Sequence, residues 1–527
     1  MGDEPEPEVA RRGRVGPVGI ATALVGVFQA ACFFGIGVME HPLNFDEGAY
    51  LSAAELLVHG NVMYRDYIAV HPPMLFYLLL PSTLFGPQLA FGIGRCLVFS
   101  IGLLGLWLVG RLAARHTSPW PAVAAVVGYG LTASVVVANR NMVTEPLVNL
   151  FALTTAWCWL DPGPPLAPPD DGDGQGTDLE AADRRRSWRT GVAFGLACAT
   201  KLVAPLLVVP MLATAPRGAR VRTVGRVVLV GLAAFAVVTL PMAVRAPGGF
   251  VEQVLWFQVA RPPAQVPLLS LERLARLVPG TVALDNVGFL LFPVAALAAA
   301  VAAMLDRGVR DRYGRFVVTW FASVALALYL GRDHDPQYNA HLAAPAALLL
   351  AWGVHRSLAW ARQVQPGHPT AVRVARALGV LLLVAAAATM VRMDRAVALG
   401  RDQTAAEIGG FVKGHRGCIL SFEAGWLLVG DRLPDPDQSG RLVTDPFVAG
   451  LIEAVRSGRG DEGFDAPATQ ALFRRALATC PTVIVGPRGR WHLSWAWPWF
   501  ESHYHRTFTT STGVDVWVRD GASDPGG

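Results

Sequence analysis

Residues 44–80 read N-F-D-E-G-A-Y-L-S-A-A-E-L-L-V-H-G-N-V-M-Y-R-D-Y-I-A-V-H-P-P-M-L-F-Y-L-L-L, and this stretch indicates how the whole chain is organised. It follows the first apolar run of membrane length, over 16–38, so we expect it to begin where that helix leaves the bilayer. A second apolar helix starts at Pro72-Pro73, where prolines fit the first turn of a helix. The pattern predicts a short acidic turn held at the membrane by two flanking helices.

Two adjacent carboxylates, Asp46 and Glu47, open this turn. Apolar residues follow near the helical period, while Glu55 and His59 lie off that face, which predicts a helix on the membrane surface. An isolated Asp-Glu pair is more often a helix cap with first-turn charges than a site. The features of the rest of the chain favour a functional role for this pair.

The composition is that of a polytopic membrane protein. The 527 residues are 53% hydrophobic and only 16% charged, whereas soluble proteins carry about a quarter charged residues. The formal charge of +5 comes from arginines clustered between apolar runs. This arrangement is typical of cytoplasmic loops, so we expect membrane lipids and no nucleic acid among the partners.

The apolar runs predict a mainly α-helical membrane region over 1–391 with about eleven transmembrane passes. Arginines before the first pass place the N-terminus in the cytoplasm. The acidic stretch 44–80 is then an external loop, which we expect to be the catalytic loop if the resemblance described below holds, and the Pro-, Gly- and Asp-rich segment 161–189 is a disordered cytoplasmic loop. An odd number of passes puts the C-terminal part outside the cytoplasmic membrane.

Residues 190–215 are apolar but lie between two basic clusters. Because both flanks favour the cytoplasm, the run should be a hairpin of two short passes. Its apex should lie near 200–205, on the outer side, and it carries Lys201.

The last part, 392–527, is not membrane-like and reads as a small extracytoplasmic α/β domain. Strand and hairpin patterns occur at 418–422, 482–486, 507–510 and 514–518. Cys418 and Cys480 each precede a strand pattern. An outer compartment permits a disulfide between them, but unbridged small buried cysteines are equally ordinary, so both interpretations stay open.

Unusual polar residues gather at the predicted outer ends of the helices. Carboxylates and cations occur there at one membrane level, where ionisable groups are costly and usually paired or functional. Arginine and lysine hold phosphate well, and a carboxylate can accept a proton from a hydroxyl or hold a divalent cation. The arrangement suits a charged lipid headgroup. The residues with this character include Asp46, Glu47, His71, Arg140, Glu145, Lys201, Arg261, Tyr338 and His341.

Five segments in order resemble motifs of one enzyme class. They are Asp46-Glu47 after the first helix, His71-Pro72-Pro73 followed by L-F-Y-L, Asn139-Arg140 through Glu145-Pro146-Leu147, G-L-A-C-A-T-K-L-V-A-P at 195–205, and 338–353. The chain resembles the GT-C class of membrane glycosyltransferases, of the protein O-mannosyltransferase and lipid A aminoarabinose transferase type (glycosyltransferase family 39-like). The match runs from the first helix to about Met390.

The resemblance implies transfer of a sugar from a polyprenyl-phosphate donor to a cell-envelope acceptor, a glycan, lipid or protein, on the outer face of the membrane. It implies Asp46 as catalytic base with support from Glu47, and Glu145 as the second site carboxylate. Lys201 and Arg140 would bind the donor phosphate.

The late segment adds Tyr338 and His341 as substrate-binding residues, with His71 at the Pro-Pro step. His71 stands where the family has lysine, and Val70 where it often has glutamate. The departure at Val70 leaves a metal site built on that motif without its carboxylate, so a divalent cation remains an open question.

Two other functions fit parts of the pattern. A polytopic transporter or lipid flippase also carries intramembrane charges, but such proteins tend to show repeated halves with broken helices, and the sequence shows no such symmetry. A non-catalytic scaffold with an outer binding domain is the third interpretation.

Overall fold

The computed structural model describes residues 16–34, 45–161, 175–261, 311–331, 336–364, 404–436 and 442–521. The predicted passes over 287–305 and 377–390 lie outside these ranges. The eleven-pass count therefore stays a prediction.

Helices dominate the part of the chain before residue 365. They are α1 (Pro17–Phe34), α2 (Phe45–Val58), α3 (Met74–Thr83), α4 (Pro87–His116), α5 (Pro119–Gly130), α6 (Ala133–Arg140), α7 (Glu145–Trp159), α8 (Gln175–Cys198), α9 (Val208–Thr214), α10 (Arg220–Ala243), α11 (Pro247–Phe250), a π-helical turn (Val251–Trp256), α12 (Phe257–Ala260), α13 (Arg312–Leu330) and α14 (Ala340–Val364).

Four of the described helices, α1, α4, α10 and α13, are long and apolar enough to cross a membrane, and a fifth span is possible if the bent pair α5–α6 counts as one. One large apolar core joins α1, α4, α5, α7, α8, α13 and α14. Lipid-facing side chains such as Leu24, Leu232 and Val237 remain exposed, as expected for helices that meet hydrocarbon rather than water. The chain is therefore a multi-pass membrane protein.

The helix α8 corrects one prediction. It begins at Gln175, inside the range 161–189 that the composition predicts to be a disordered loop. Its first turns contain E-A-A-D-R-R-R, and alanine, glutamate and arginine are strong helix formers. Only the Pro- and Gly-rich part over 162–174 stays outside the described residues.

Within the range 190–215 the structure has the end of α8, a turn and α9, while the predicted pair of membrane passes stays a prediction. Two glycines allow α8 to pack closely on α10, because a Cβ at Gly195 would lie 2.2 Å from the carbonyl oxygen of Gly231. Small residues permit such close contact between membrane helices. α8 ends at Cys198, and α9 begins ten residues later at Val208, so Lys201 lies in the turn, as expected.

The described C-terminal residues form a mixed four-stranded sheet in the order β1-β2-β4-β3. β1 and β2 are parallel, while β4 pairs antiparallel with β2 and β3. The strands are β1 (Ile419–Ser421), β2 (Thr482–Val485), β3 (Tyr504–Thr509) and β4 (Asp515–Arg519), and the helices are α15 (404–414), α16 (Gly425–Val429), α17 (Pro446–Arg456), α18 (Pro467–Thr479), α19 (Pro487–His492) and α20 (Trp497–Glu501).

A disulfide joins Cys418, just before β1, to Cys480, just before β2. Their Cα atoms lie 4.9 Å apart. The bridge links neighbouring parallel strands across 62 residues of sequence, so the structure resolves the two interpretations of these cysteines in favour of pairing.

The helix α2 is not a surface helix with one polar face, contrary to expectation. Its second face packs against the C-terminal part, where a Cβ at Gly48 would lie 2.3 Å from the backbone nitrogen of Gly425. One apolar core contains Leu51 and Leu75 together with Trp426 and Ile484. Even Glu55 is only 5% exposed. Periodicity could not predict this burial because the covering residues lie more than 370 positions away in sequence.

Candidate active site

A short 3₁₀ turn, Pro336–Asn339, joins two groups of polar residues. Gln337 Nε2 donates to Asp46 Oδ2 at 2.7 Å. The next residue, Tyr338, places its ring centroid 4.0 Å from Lys201 Nζ, a favourable cation–π geometry. The loop predicted to carry catalysis and the hairpin predicted to bind phosphate therefore meet at one turn of chain.

Lys201 is held by Glu145. Its Nζ donates to Glu145 Oε1 at 2.6 Å, and the side chains are 13% and 2% exposed, respectively. Glu145 is the first residue of α7, where the positive end of the helix dipole favours a carboxylate. A buried ammonium requires such an anionic partner, and the lysine still reaches open space.

Two histidines border this ion pair. His341 Nε2 lies 3.7 Å from Glu145 Oε1, and neither of its ring nitrogens has a hydrogen-bond partner among the described residues. Burial, reinforced by the positive charge of Lys201, lowers the pKa of His71 to about 3. His71 is therefore a neutral imidazole at physiological pH.

Tyr50, one helical turn after Asp46, is close enough to Asp46 and Glu145 for the charges of both to act on its hydroxyl. Burial is the largest cause that raises its pKa well above 10, followed by the charges of Asp46 and Glu145. Its ring meets that of His71 edge to face, with centroids 5.8 Å apart. Tyr50 is therefore a neutral phenol next to the acidic groups of the site.

Glu47 has a different environment from Asp46. Both of its carboxylate oxygens bind Arg95 of α4, at 2.9 and 2.7 Å, and one also accepts from the backbone N–H of Met142 at 2.9 Å. The side chains of Glu47 and Arg95 are both 0% exposed. Glu47 thus ties α2 to α4 and to the turn before α7, and it has no path to a substrate.

A cavity of about 300 Å³ opens beside Lys201. Its polar end is formed by His71, Lys201, Gln258, Arg261, Tyr338 and His341, and its apolar wall by Leu202, Val203, Leu206, Ala327 and Leu328. The apolar wall includes the end of α13, whose Leu326 and Leu330 face outward. The cavity can therefore hold a molecule with an anionic head and a hydrocarbon tail.

Two further arginines of the predicted set are placed differently. Arg261 lines the cavity and its Nη1 lies 3.4 Å from the Tyr338 hydroxyl. Arg140 is half-buried at the end of α6, the helix that packs on the 336–339 turn. Arg140 is not among the residues that line the cavity.

The loop 59–73 is fixed by unusual backbone contacts. Tyr64 has a φ of +70°, which is costly for a bulky residue. Its hydroxyl donates to the carbonyl of His71 at 2.9 Å. Gln253 donates to the carbonyl of Tyr64 and accepts from the N–H of Ala69. These contacts hold His71 at the cavity entrance.

The C-terminal part closes the other side of α2. Phe447 contacts Phe45 with ring centroids 5.4 Å apart, and the charge of Asp445 contributes to the raised pKa of Tyr50. A second cavity, of about 480 Å³, lies between Ile68 of the loop and α17, with Asp445 and Glu453 in its wall.

The described residues do not form a metal site. Within those ranges no three His, Cys, Asp or Glu side chains converge as ligands. The ammonium of Lys201 already binds Glu145, and Asp46 faces the amide of Gln337. The donor set does not suit a divalent cation, which prefers several carboxylate or carbonyl oxygens.

Sequence reasoning missed Arg95, Gln337 and Tyr50. Arg95 carried a usable signal, because a single arginine within the apolar run over 89–109 requires a buried partner. Gln337 and Tyr50 carried none, since a glutamine in a polar turn and a tyrosine in a helix are both common.

No protein-family model and no curated protein matches the sequence. Among solved structures, ArnT of Cupriavidus metallidurans bound to undecaprenyl phosphate is similar, with 16% identity and a TM-score of 0.59 over 96% of this chain and 99% of that one.

The oligosaccharyltransferase AglB of Archaeoglobus fulgidus, in complex with an inhibitory peptide and a dolichol-phosphate, has 13% identity and a TM-score of 0.57 over 96% of this chain and 74% of that one. At this level of identity the similarity concerns the fold. The chain has the fold of the GT-C class of membrane glycosyltransferases.

Proposed function

We propose that this protein is a glycosyltransferase that moves a sugar from a polyprenyl-phosphate donor to a cell-envelope acceptor. The cavity beside Lys201 is the main support. Its cationic end, with Lys201 and Arg261, suits a phosphate, and its wall of Leu202, Leu206 and Leu328 suits an isoprenoid tail.

The similar structures support the same class of ligand. ArnT was solved with undecaprenyl phosphate and AglB with a dolichol-phosphate. Another structure of that oligosaccharyltransferase holds zinc and sulfate. Because the described residues of this chain offer no matching ligand cluster, no step is assigned to a metal.

The reaction would be a single displacement at the anomeric carbon of the donor sugar. The acceptor hydroxyl attacks that carbon and gives its proton to Asp46. The bond between the carbon and the phosphate oxygen breaks, and the polyprenyl phosphate leaves with the electron pair. Lys201 and Arg261 stabilise the charge that develops on the leaving phosphate.

The other residues of the site position these groups. Gln337 orients Asp46, and Glu145 holds Lys201 at the cavity wall. His71, Tyr338 and His341 border the donor and would contact its sugar or phosphate. Glu47 fixes the helix that carries Asp46 through its ion pair with Arg95.

The acceptor would enter from the side of the C-terminal part. The cavity beneath α17 is bordered by Ile68, and Asp445 lies in its wall. The charge of Asp445 helps to raise the pKa of Tyr50, which follows Asp46 by one helical turn. A hydroxyl-bearing acceptor held there would approach Asp46 from the side opposite the donor.

The site would face away from the cytoplasm. The arginines at the start of α10 lie at the other ends of the helices, and such clusters favour the cytoplasmic side. The N-terminus is then cytoplasmic, and the sheet of residues 404–521 belongs to an outer α/β domain.

Purified full-length protein should transfer sugar from at least one member of a panel of labelled polyprenyl-phosphate sugars. Asp46→Asn should reduce transfer by about a hundredfold or more, because the amide keeps the shape but accepts no proton. The matched control Asp465→Asn changes an exposed carboxylate of the C-terminal part and should retain full transfer.

Near-normal turnover by Asp46→Asn would contradict its role as the base and would indicate that Asp46 is only a charge at the helix N-terminus. Movement of labelled lipid between leaflets without any transfer would instead support the flippase interpretation.

A further inference from the structure

Helices that carry the candidate active site also border a cavity at their opposite ends. α4 passes Arg95 and ends at His116, 21 residues later, which is about 30 Å at 1.5 Å per residue. α14 likewise passes His341 near its start and His355 about four turns further on. The cavity lined by His116 and His355 therefore belongs to the other membrane face.

This opposite-end cavity has a volume of about 430 Å³ and is rich in cationic and imidazole groups. Among the described residues, it is lined by Arg312, Arg356, His116 and His355, together with one carboxylate, that of Asp311. The space far exceeds the roughly 30 Å³ that one water occupies in the liquid, so it can hold a headgroup-sized ligand.

Asp311 is committed to structure rather than to neutralising the arginines. It caps α13 by accepting from the N–H of Gly314, and its other oxygen accepts from Trp352 Nε1 at 3.0 Å. With two arginines and one carboxylate, the described residues that line the cavity carry a net positive charge before either histidine is protonated.

His116 gives an independent indication of a ligand. Its ring stacks on Tyr313, with centroids 4.6 Å apart and an interplanar angle of 14°. Its Nε2 is buried and has no hydrogen-bond partner among the described residues. A buried polar atom left in this state is unfavourable, and a bound oxyanion would satisfy it.

Exposed tryptophans place the cavity at the level of lipid headgroups. Trp120, near the start of α5, is 55% exposed, and it lies two residues after Ser118, whose N–H contacts His355 Nδ1 at 3.3 Å. Trp188 of α8 is also exposed. Tryptophan is enriched where the bilayer meets water.

We propose that the opposite-end cavity binds the phosphate group of an anionic membrane lipid. Arginine guanidinium groups bind phosphate oxygens in a fixed fork geometry, and basic pockets between transmembrane helices bind anionic headgroups on the cytoplasmic side. The lipid would brace the ends of α4, α13 and α14 while the opposite ends carry the active site. This site is independent of the proposed transfer reaction.

The test compares lipids retained by the full-length protein. Native mass spectrometry after exchange into phosphatidylglycerol or phosphatidylcholine should show preferential retention of phosphatidylglycerol. Arg356→Gln should weaken that retention by about fivefold. Arg222→Gln, which removes an exposed arginine at the same end of α10, should not.

A parallel arm uses inorganic phosphate alone. Thermal stabilisation by phosphatidylglycerol, but not by inorganic phosphate, identifies the lipid as the source. Equal stabilisation by both identifies a site for the free ion and overturns the lipid assignment. Equal retention of both lipids by the wild-type protein, or equal loss in Arg222→Gln and Arg356→Gln, overturns the proposal. If Arg356→Gln does not fold, the comparison of phosphatidylglycerol and phosphatidylcholine retention by the wild-type protein decides whether the cavity prefers the anionic lipid.

Discussion

The structure contains two buried ion pairs near Asp46, and they differ in whether one partner is exposed to a cavity. The pair Glu47–Arg95 is sealed, with both side chains 0% exposed and a third bond from Met142. The pair Glu145–Lys201 has similarly short contacts, but Lys201 is 13% exposed and lines a cavity. The first pair is saturated by protein, whereas the second presents its cation to open space.

This difference separates a structural role from a functional one. A sealed pair can only connect elements, here α2, α4 and the turn before α7. An open pair also presents its cation to the cavity, where an anionic ligand could reach it. Proximity to the proposed catalytic carboxylate is therefore a poor guide to function, because Glu47 is adjacent to Asp46 in sequence and does not line the cavity.

Breaking the sealed pair should give the largest effect. Arg95→Leu leaves the carboxylate of Glu47 buried without its counterion, which should cost about 3–5 kcal/mol of stability. Thermal unfolding of the detergent-solubilised protein should show this as a large decrease in Tm, with little folded protein recovered.

The double variant Glu47→Gln/Arg95→Met is the control for this prediction. Replacing both partners removes the uncompensated charge and should restore most of the stability. A Tm for Arg95→Leu close to the wild-type value would contradict the structural role assigned to the sealed pair.

Breaking the open pair should mainly affect the ligand. Lys201→Ala should lower donor affinity by about tenfold or more, because a charge-assisted hydrogen bond to phosphate is lost. Its Tm without donor should decrease by less than half as much as in Arg95→Leu, since water in the cavity can solvate Glu145. Titration with a polyprenyl-phosphate and a melting curve measure the two effects.

The chain supplies a matched control, because Lys413 is its other lysine and is exposed. Lys413→Ala should change neither donor affinity nor Tm. If Lys201→Ala strongly destabilised the empty protein while donor affinity stayed unchanged in the folded fraction, the open pair would merely join α7 to the hairpin.

The smallest effect concerns pH. His71 has a pKa of about 3 in the folded protein against 6.5 when unperturbed, so below pH 6.5 the unfolded chain binds a proton that the folded chain does not. Stability should therefore be complete above pH 6.5 and decrease towards pH 3, by about 1 kcal/mol per pH unit or less.

His71→Gln should flatten the dependence of Tm on pH between 6.5 and 5. A neighbouring residue that does not titrate provides a control, and Asn61→Gln should leave the slope unchanged. An unchanged slope in His71→Gln would show that other groups dominate the acid sensitivity.

The sequence predicted the membrane class, the order of the polar segments and the turn that carries Lys201. Each of these depends on local patterns, such as apolar runs of fixed length or a lysine within an apolar segment. It did not predict that α8 begins at Gln175, because the acidic and basic residues over 175–189 resemble a solvated loop in composition.

The sequence by itself determined which residues had to find partners. Lys201, Glu145 and Glu47 lie in or beside apolar helices, and unpaired charges there are too costly to persist. Only the tertiary structure decided who the partners are, because Arg95 and Gln337 are separated from Glu47 and Asp46 by 48 and 291 positions. The free-energy cost of burying an unpaired charge requires that each buried charge have a partner, whereas the packing of the helices determines which group becomes that partner. That selection leaves Lys201 facing a cavity and Glu47 sealed.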